Sequence, residues 1–323
     1  MTPRLSVVIC TRNPRRDFLE RTLAGLREQT LTYNLWELLV VDNGSASRVA
    51  DWLDIGWHTN GRIVVEQKPG LTVARLRGLN ETQSETVVFA DDDNVLSPDY
   101  LEHVIRLRQE WPKLGCFGAG CLIPEFECEP LPEWKPYIRM LALREIGRDL
   151  WSNDPGDTIT PWGAGLVVSR EVAVAYAESV RNSTLRALLG RRGEELNSGE
   201  DDWVSDVACG MGFGKGLFTC LRVLHLIDRK RVLPAYLEGI AEGHAFSRAL
   251  LAHLRGRKVR SVELRSRPAD VFKSIARMSV SDTIRHLDNY WFSRGMNAVE
   301  RKVEDAERRG VARALQLIGE GKN

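Results

Sequence analysis

Val87-Val88-Phe89-Ala90-Asp91-Asp92-Asp93-Asn94 is an apolar run of strand length that stops against three consecutive carboxylates. Buried strands are short apolar runs bounded by polar signals. Just downstream, Ser97-Pro98-Asp99 predicts a helix start, with Ser97 as N-cap and Pro98 at the first helical position. The carboxylates thus belong at the carboxyl end of a strand, the end at which an open α/β sheet keeps its ligand crevice. Two readings of the triplet stand side by side. It is a solvated acidic turn, or a set of hard oxygen donors suited to Mg²⁺ or Mn²⁺ held together with phosphates.

Upstream, the same unit repeats. Leu5–Cys10 is a β-branched apolar run ending at Thr11-Arg12-Asn13-Pro14, followed by a helical pattern through Leu19, Leu23 and Leu26. A second strand at Leu35–Val41 ends in Asp42-Asn43-Gly44-Ser45, and a third candidate spans Arg62–Glu66. Lys68-Pro69-Gly70 then leads into a helix over Thr72–Leu79. Strands alternating with helices at this spacing predict βαβ units, a mainly parallel open sheet flanked by helices, and right-handed crossovers. The four strand ends converge on one edge.

Downstream, a short apolar segment Gly115–Gly120 leads into a Pro-, Trp- and Glu-rich region that reads as irregular. Gly163-Ala164-Gly165 precedes the strand Leu166–Val168, and its glycines either form a turn or let the backbone approach a ligand. Gly199-Glu200-Asp201-Asp202 opens a helix, where carboxylates complement the helix dipole even without a catalytic role. Gly216–Cys220 and Leu221–His225 read as strand material; a lone histidine there is a core residue or, near two carboxylates, a third metal ligand. From about Leu237 the pattern is helical, with Ile275, Ile284, Leu287 and Trp291 continuing it, and Glu300–Arg313 reads as an exposed charged helix.

The chain of 323 residues, 43% apolar and 28% charged, fits one α/β domain with an appendage. We divide it at residue 240 into an α/β domain over 1–240 and a helical, basic C-terminal extension over 241–323. A formal net charge of +1 argues against nucleic acid as a partner. The six cysteines form no CxxC pair and read as reduced packing residues rather than a zinc site. No window approaches the roughly 18 apolar residues a membrane span needs. Met1-Thr2-Pro3-Arg4 shows no signal-peptide pattern, so the expected location is cytoplasmic. Arg255–Arg267 carries six basic residues against Glu263 alone. It is either a solvated face or a peripheral contact with anionic lipid at the inner face of the membrane.

Taken in order, Ser6–Asn13, Val40–Ser45, Gly70 with Ala74, Arg75 and Gly78, Phe89–Asp93, Gly163–Gly165, Glu200-Asp201 and His225 resemble the inverting family 2 glycosyltransferases of GT-A fold. The resemblance covers roughly residues 5 to 240. It implies a Rossmann-like sheet, a UDP- or dTDP-linked sugar donor, Mn²⁺ or Mg²⁺, and transfer to the hydroxyl of a glycan, lipid-linked or small-molecule acceptor in surface glycan or glycoconjugate synthesis. Thr11, Arg12, Asp42 and Arg75 would form the base and ribose pocket. Asp91 and Asp93 would be the outer members of the DxD motif, Asp91 toward the ribose or metal and Asp93 as metal ligand, with Asp92 in the variable middle position on the donor side and His225 completing the metal site. Asp201 would be the general base. Two positions depart from the pattern: Leu76 where Asn is common, and Asp206 where Leu or Arg is common. Two alternatives to the transferase are a non-catalytic nucleotide-sugar-binding scaffold and a sugar nucleotidyltransferase. The latter needs a Gly-rich basic loop after the first strand, which Thr11–Pro14 lacks.

Overall fold

Alternate residues of the first strands face opposite sides of one sheet, and both sides are covered, which is why these strands are apolar at nearly every position. A computed structural model describes residues 3–259 and 297–320. Strand β1 (Leu5–Thr11) leads to α1 (Arg16–Arg27), β2 (Trp36–Asp42), β3 (Gly61–Val65), α2 (Leu71–Glu81) and β4 (Thr86–Ala90). Val7, Ile9, Leu38, Val40 and Val88 pack under α1. Val8, Leu39, Val41, Val87 and Phe89 pack on the other face, against α2 and two later helices. These four strands are parallel, in the order β3-β2-β1-β4.

Beyond β4 the sheet becomes mixed. The chain continues through β5 (Asn94–Leu96), α3 (Tyr100–Glu110), β6 (Leu114–Phe126), the short β7 (Arg144–Glu145) and β8 (Leu150–Ser152), then β9 (Leu166–Ser169). It ends with α4 (Arg170–Arg181), α5 (Glu200–Gly210), β10 (Gly214–Ile227), α6 (Pro234–Leu254) and α7 (Ala298–Gly319). The full order is β3-β2-β1-β4-β9-β6-β10-β5, with β9 antiparallel to both β4 and β6. The expected open α/β sheet is present, and its parallel part is the half made by β1 to β4.

Several local expectations change. After the carboxylates the chain stays extended and pairs as β5 with Val223–His225 of β10. The Ser97 amide is then bound to the Arg222 carbonyl, so α3 starts at Tyr100 with Asp99, not Ser97, at its N-cap. The glycine-rich Gly115–Gly120 run is part of a 13-residue strand that continues through Pro124 to Phe126. The two pieces read on either side of Cys220 are one strand, β10, with an irregularity between Phe218 and Arg222.

Helix α6 passes through residue 240 without a break. The charged C-terminal helix is not simply exposed: Val299, Val303, Ala306, Val311 and Ala314 of α7 are buried, packed with residues of α6 such as Leu237, Ala241, Phe246 and Leu250. Glu242 of α6 pairs with both Arg309 and Arg313. Ile275, Ile284, Leu287 and Trp291 lie outside the described residues. So does the basic run from Arg260 to Arg267, while Arg255 makes a bidentate pair with Asp206. No described helix is long and apolar enough to cross a membrane.

Candidate active site

The carboxyl ends of β1 and β4 and the turn after β2 open into a cleft of about 830 Å³, whose far wall is built by the loop over 189–193, the start of α5 and the second half of α6. Asp91 and Asp92 of the first acidic cluster and all three carboxylates of the second line it, together with Thr11, Arg12, Arg75, His225 and Arg231.

Arg75, on α2, joins the clusters. It is 3% exposed. Its Nη1 donates to Asp201 Oδ1 at 2.8 Å and lies 3.6 Å from Glu200 Oε2, while Nη2 lies 4.0 Å from Asp91 Oδ1. A buried cation is tolerable only when paired, and three carboxylates from two distant segments supply the pairing. Arg75 therefore sits between the acidic clusters, in the same cleft as Thr11 and Arg12. The backbone approach that Gly163 allows is made toward this pair. Its N–H donates to Asp201 Oδ2 at 2.7 Å, and a Cβ there would lie 2.2 Å from Arg75 Nη2.

Each carboxylate of the second cluster has its own surroundings. Glu200 accepts from the Tyr176 hydroxyl at 2.6 Å and the Thr72 hydroxyl at 3.3 Å, and burial raises its pKa against the pull of Arg75. Asp201 has one oxygen on Arg75 and the other on the Gly163 amide. Asp202 lines the cleft with a single long bond from Thr160, at 3.4 Å. Burial, helped by Asp201, pushes its carboxyl up to about 6. All three stand in the first turn of α5, so dipole complementation and a place in the cleft hold together.

In the first cluster, Asp91 is the most open, with its side chain 40% exposed. Asp92 accepts from the Thr11 hydroxyl, and burial together with Asp93 pushes it up to about 7. Asp93 is turned away from the cleft surface. It accepts from Asn94 Nδ2 at 2.9 Å on one oxygen and from Arg231 Nη1 on the other, with His225 Nε2 3.5 Å away. Burial would raise its pKa, but His225 and Arg231 hold it well below the usual carboxylate range.

Asp42 departs from its expected role. Its two oxygens accept the amides of Ser45 and Val49 at 2.9 Å each, so it staples the turn after β2 and does not line the cleft. The cleft is met there by Asn43, which donates to the Glu66 and Lys68 carbonyls and accepts from the Gly70 amide. The expected metal ligands also do not fit. Asp93 Oδ2 and His225 Nε2 converge on one atom, Arg231 Nη1, which lies 3.1 Å from the histidine nitrogen. Among the described residues no three His, Cys, Asp or Glu side chains are grouped to hold an ion. Arg231, Arg191 and Arg192 were not singled out from sequence; the run Asp228-Arg229-Lys230-Arg231 directly after His225 is the signal that marks the first of them.

Residues 6–165 match the family described as glycosyl transferase family 2. The chain belongs to glycosyl transferase family 2 through this segment. The family 2 segment ends at Gly165, so Asp201, His225 and Arg231 lie beyond it. Among its relatives in Bacillus subtilis (strain 168), EpsH, named a glycosyltransferase, is 28% identical over 107 residues, 32% of this chain and 30% of that protein. TuaG, named a teichuronic acid biosynthesis glycosyltransferase, is 31% identical over 111 residues, 33% and 43% of the two chains. The alignments thus span less than half the length of either relative. Among solved structures, a mannosyltransferase from Pyrobaculum calidifontis in complex with GDP-Man and Mn²⁺ superposes with a TM-score of 0.57 at 15% identity, covering 98% of this chain and 88% of that one. GalNAc-T7 with UDP, GalNAc and Mn²⁺ gives 0.50 at 14%, covering 81% and 53%. The fold of this family 2 protein is GT-A.

Proposed function

We propose that this family 2 protein is an inverting glycosyltransferase that moves a sugar from a nucleoside-diphosphate donor to an acceptor hydroxyl. The observation that supports it most is the single cleft in which Arg75 ties the carboxylates after β4 to those that open α5. Transfer with inversion needs two chemically different sides, one for the leaving diphosphate and one for deprotonating the attacking hydroxyl; the cleft offers Arg231 beside the carboxylates after β4 for the first and the carboxylates that open α5 for the second.

The strand-end side suits the donor. Thr11, Arg12 and Asn43 border the space at the ends of β1 and β2, and Arg191 and Arg192 line it from the loop over 189–193. Opposite, the acceptor oxygen attacks the anomeric carbon while the bond from that carbon to the phosphate oxygen breaks. The bonding pair leaves with the diphosphate, and the hydroxyl proton passes to a carboxylate, an assistance of roughly 10²–10⁴-fold. Asp201 is the assigned base: Arg75 and the Gly163 amide fix its plane, and each oxygen keeps a lone pair. One observation favours a second assignment. Asp202, also in the cleft, is pushed up to about 6, a range suited to accepting a proton near neutrality.

The donor is UDP- or dTDP-linked in this reading, the acceptor a glycan, lipid-linked or small-molecule hydroxyl, and the setting surface glycan or glycoconjugate synthesis. A nucleotidyltransferase would need triphosphate-binding glycines after β1, where Thr11-Arg12-Asn13-Pro14 stands. The test is release of nucleoside diphosphate from a panel of nucleotide sugars. One base and one sugar should be consumed in preference to the rest. Binding of nucleotide sugars without turnover of any, over a range of acceptors, would favour the scaffold.

A further inference from the structure

We propose that the guanidinium of Arg231 takes the place of a divalent cation in this cleft, so that the donor diphosphate is bound, and its leaving-group charge met, by a protein cation without a metal ion. This rests on the glycosyltransferase reading above and specifies how its donor side works.

A metal held by Asp93 and His225 would sit where a carboxylate oxygen and an imidazole nitrogen point together. In this chain they point together at Arg231 Nη1. His225 Nε2 lies 3.1 Å from this nitrogen, and Asp93 neutralises the guanidinium charge. A divalent ion entering between them would have to displace the guanidinium, since two positive centres cannot share one pair of donors. A guanidinium stays protonated at every pH the folded protein meets, so the charge is permanent.

The cleft surface carries the same assignment. Arg231 and His225 line it and Asp93 does not, so a diphosphate lying against the end of β4 meets the arginine before the carboxylate. Arg231 Nη2 makes no hydrogen bond among the described residues, and a guanidinium presents its donors in a plane that matches phosphate oxygens. The arginine is also held in place. It lies in the helical turn Arg229–Val232, whose first residue is preceded by Asp228, and the Asp228 side chain accepts the Lys230 amide and pairs with Arg15. As the anomeric carbon–oxygen bond breaks, the electron pair remains on the diphosphate oxygen. Arg231 stabilises that charge by N–H donation, with no change in oxidation state anywhere.

The experiment is calorimetric titration of the full chain with UDP, dTDP and GDP, in EDTA and in excess Mn²⁺, alongside electron paramagnetic resonance of free Mn²⁺. Wild type should bind one nucleoside diphosphate with affinities in the two conditions that agree within about threefold. The Mn²⁺ signal should show no ion taken up by protein and nucleotide together. Arg231→Met, checked for folding by circular dichroism, should weaken binding in EDTA about a hundredfold, the loss expected for one charge-stabilising donor. It should also gain Mn²⁺ uptake, because Asp93 and His225 are released. Nucleotide binding by wild type only in Mn²⁺, with uptake abolished in Asp93→Asn, would overturn the inference and leave the glycosyltransferase reading standing. Failure of folded wild type to bind any of the three nucleotides in either condition would overturn both.

Discussion

Arg75 and Arg231 each hold one acidic cluster in place, and each is itself held by carboxylates. The arrangement is costly to disturb, since removing one partner of a buried pair leaves the other charged and desolvated, a loss of about 3–5 kcal/mol. Asp202 shows the same tension as a pH effect. Its carboxyl rises from 3.8 to about 6 on folding, chiefly through burial. Between those values the folded protein keeps a proton that the unfolded chain has released. Stability from this group therefore falls as pH climbs from about 4 to 6, and the cost is complete above that range. Asp202→Asn should raise Tm near neutral pH, and the gain should vanish near pH 4 in a series of thermal melts. A gain of equal size at both ends would show that desolvated charge is not its source. Sequence displays the carboxylates of the site because they fall in runs, 91–93 and 200–202. Of their cations it singles out Arg75 only through the family resemblance, and Arg231 not at all. Arg75 and Arg231 reach them from other segments, and no local pattern encodes which of the chain's many arginines is buried against an aspartate. Asp42 misleads for the same reason: at a strand end, a carboxylate that caps a turn looks like one that holds a ligand.

Strands β1, β2 and β4 are legible because burial on both faces demands apolar residues throughout, and the helices between them repeat at helical spacing. Strand β5 is not legible, since three residues become a strand only by pairing with Val223–His225 far along the chain. Helix α7 is legible as a helix but not as a packed one. Its many charges hide the stripe Val299, Val303, Ala306, Gly310, Val311 and Ala314 that lies against α6. Gly310 is the tightest point of that contact, where a Cβ would lie 2.1 Å from the Glu242 carbonyl. A larger side chain must push the helices apart. Gly310→Leu should destabilise by about 1–3 kcal/mol, read as a fall in denaturation midpoint at unchanged m. An unchanged midpoint would mean that α7 is not docked on α6 as described.

Across the molecule, the half made by β1 to β4 faces a second wall made by the loop over 189–193, α5 and α6, and the family 2 match ends before that wall begins. Helix α6, with His244, Ser247 and Arg248 in the cleft, is part of the site's architecture. The central claim is that one wall binds the donor while the other deprotonates the acceptor. It is tested most directly by Asp201→Asn, measuring nucleoside-diphosphate affinity and turnover of the preferred nucleotide sugar on the same preparation. The account predicts affinity within about threefold of wild type and transfer reduced roughly 10²–10⁴-fold. Transfer at near wild-type rate, with affinity intact, would contradict it and move the base to Asp202.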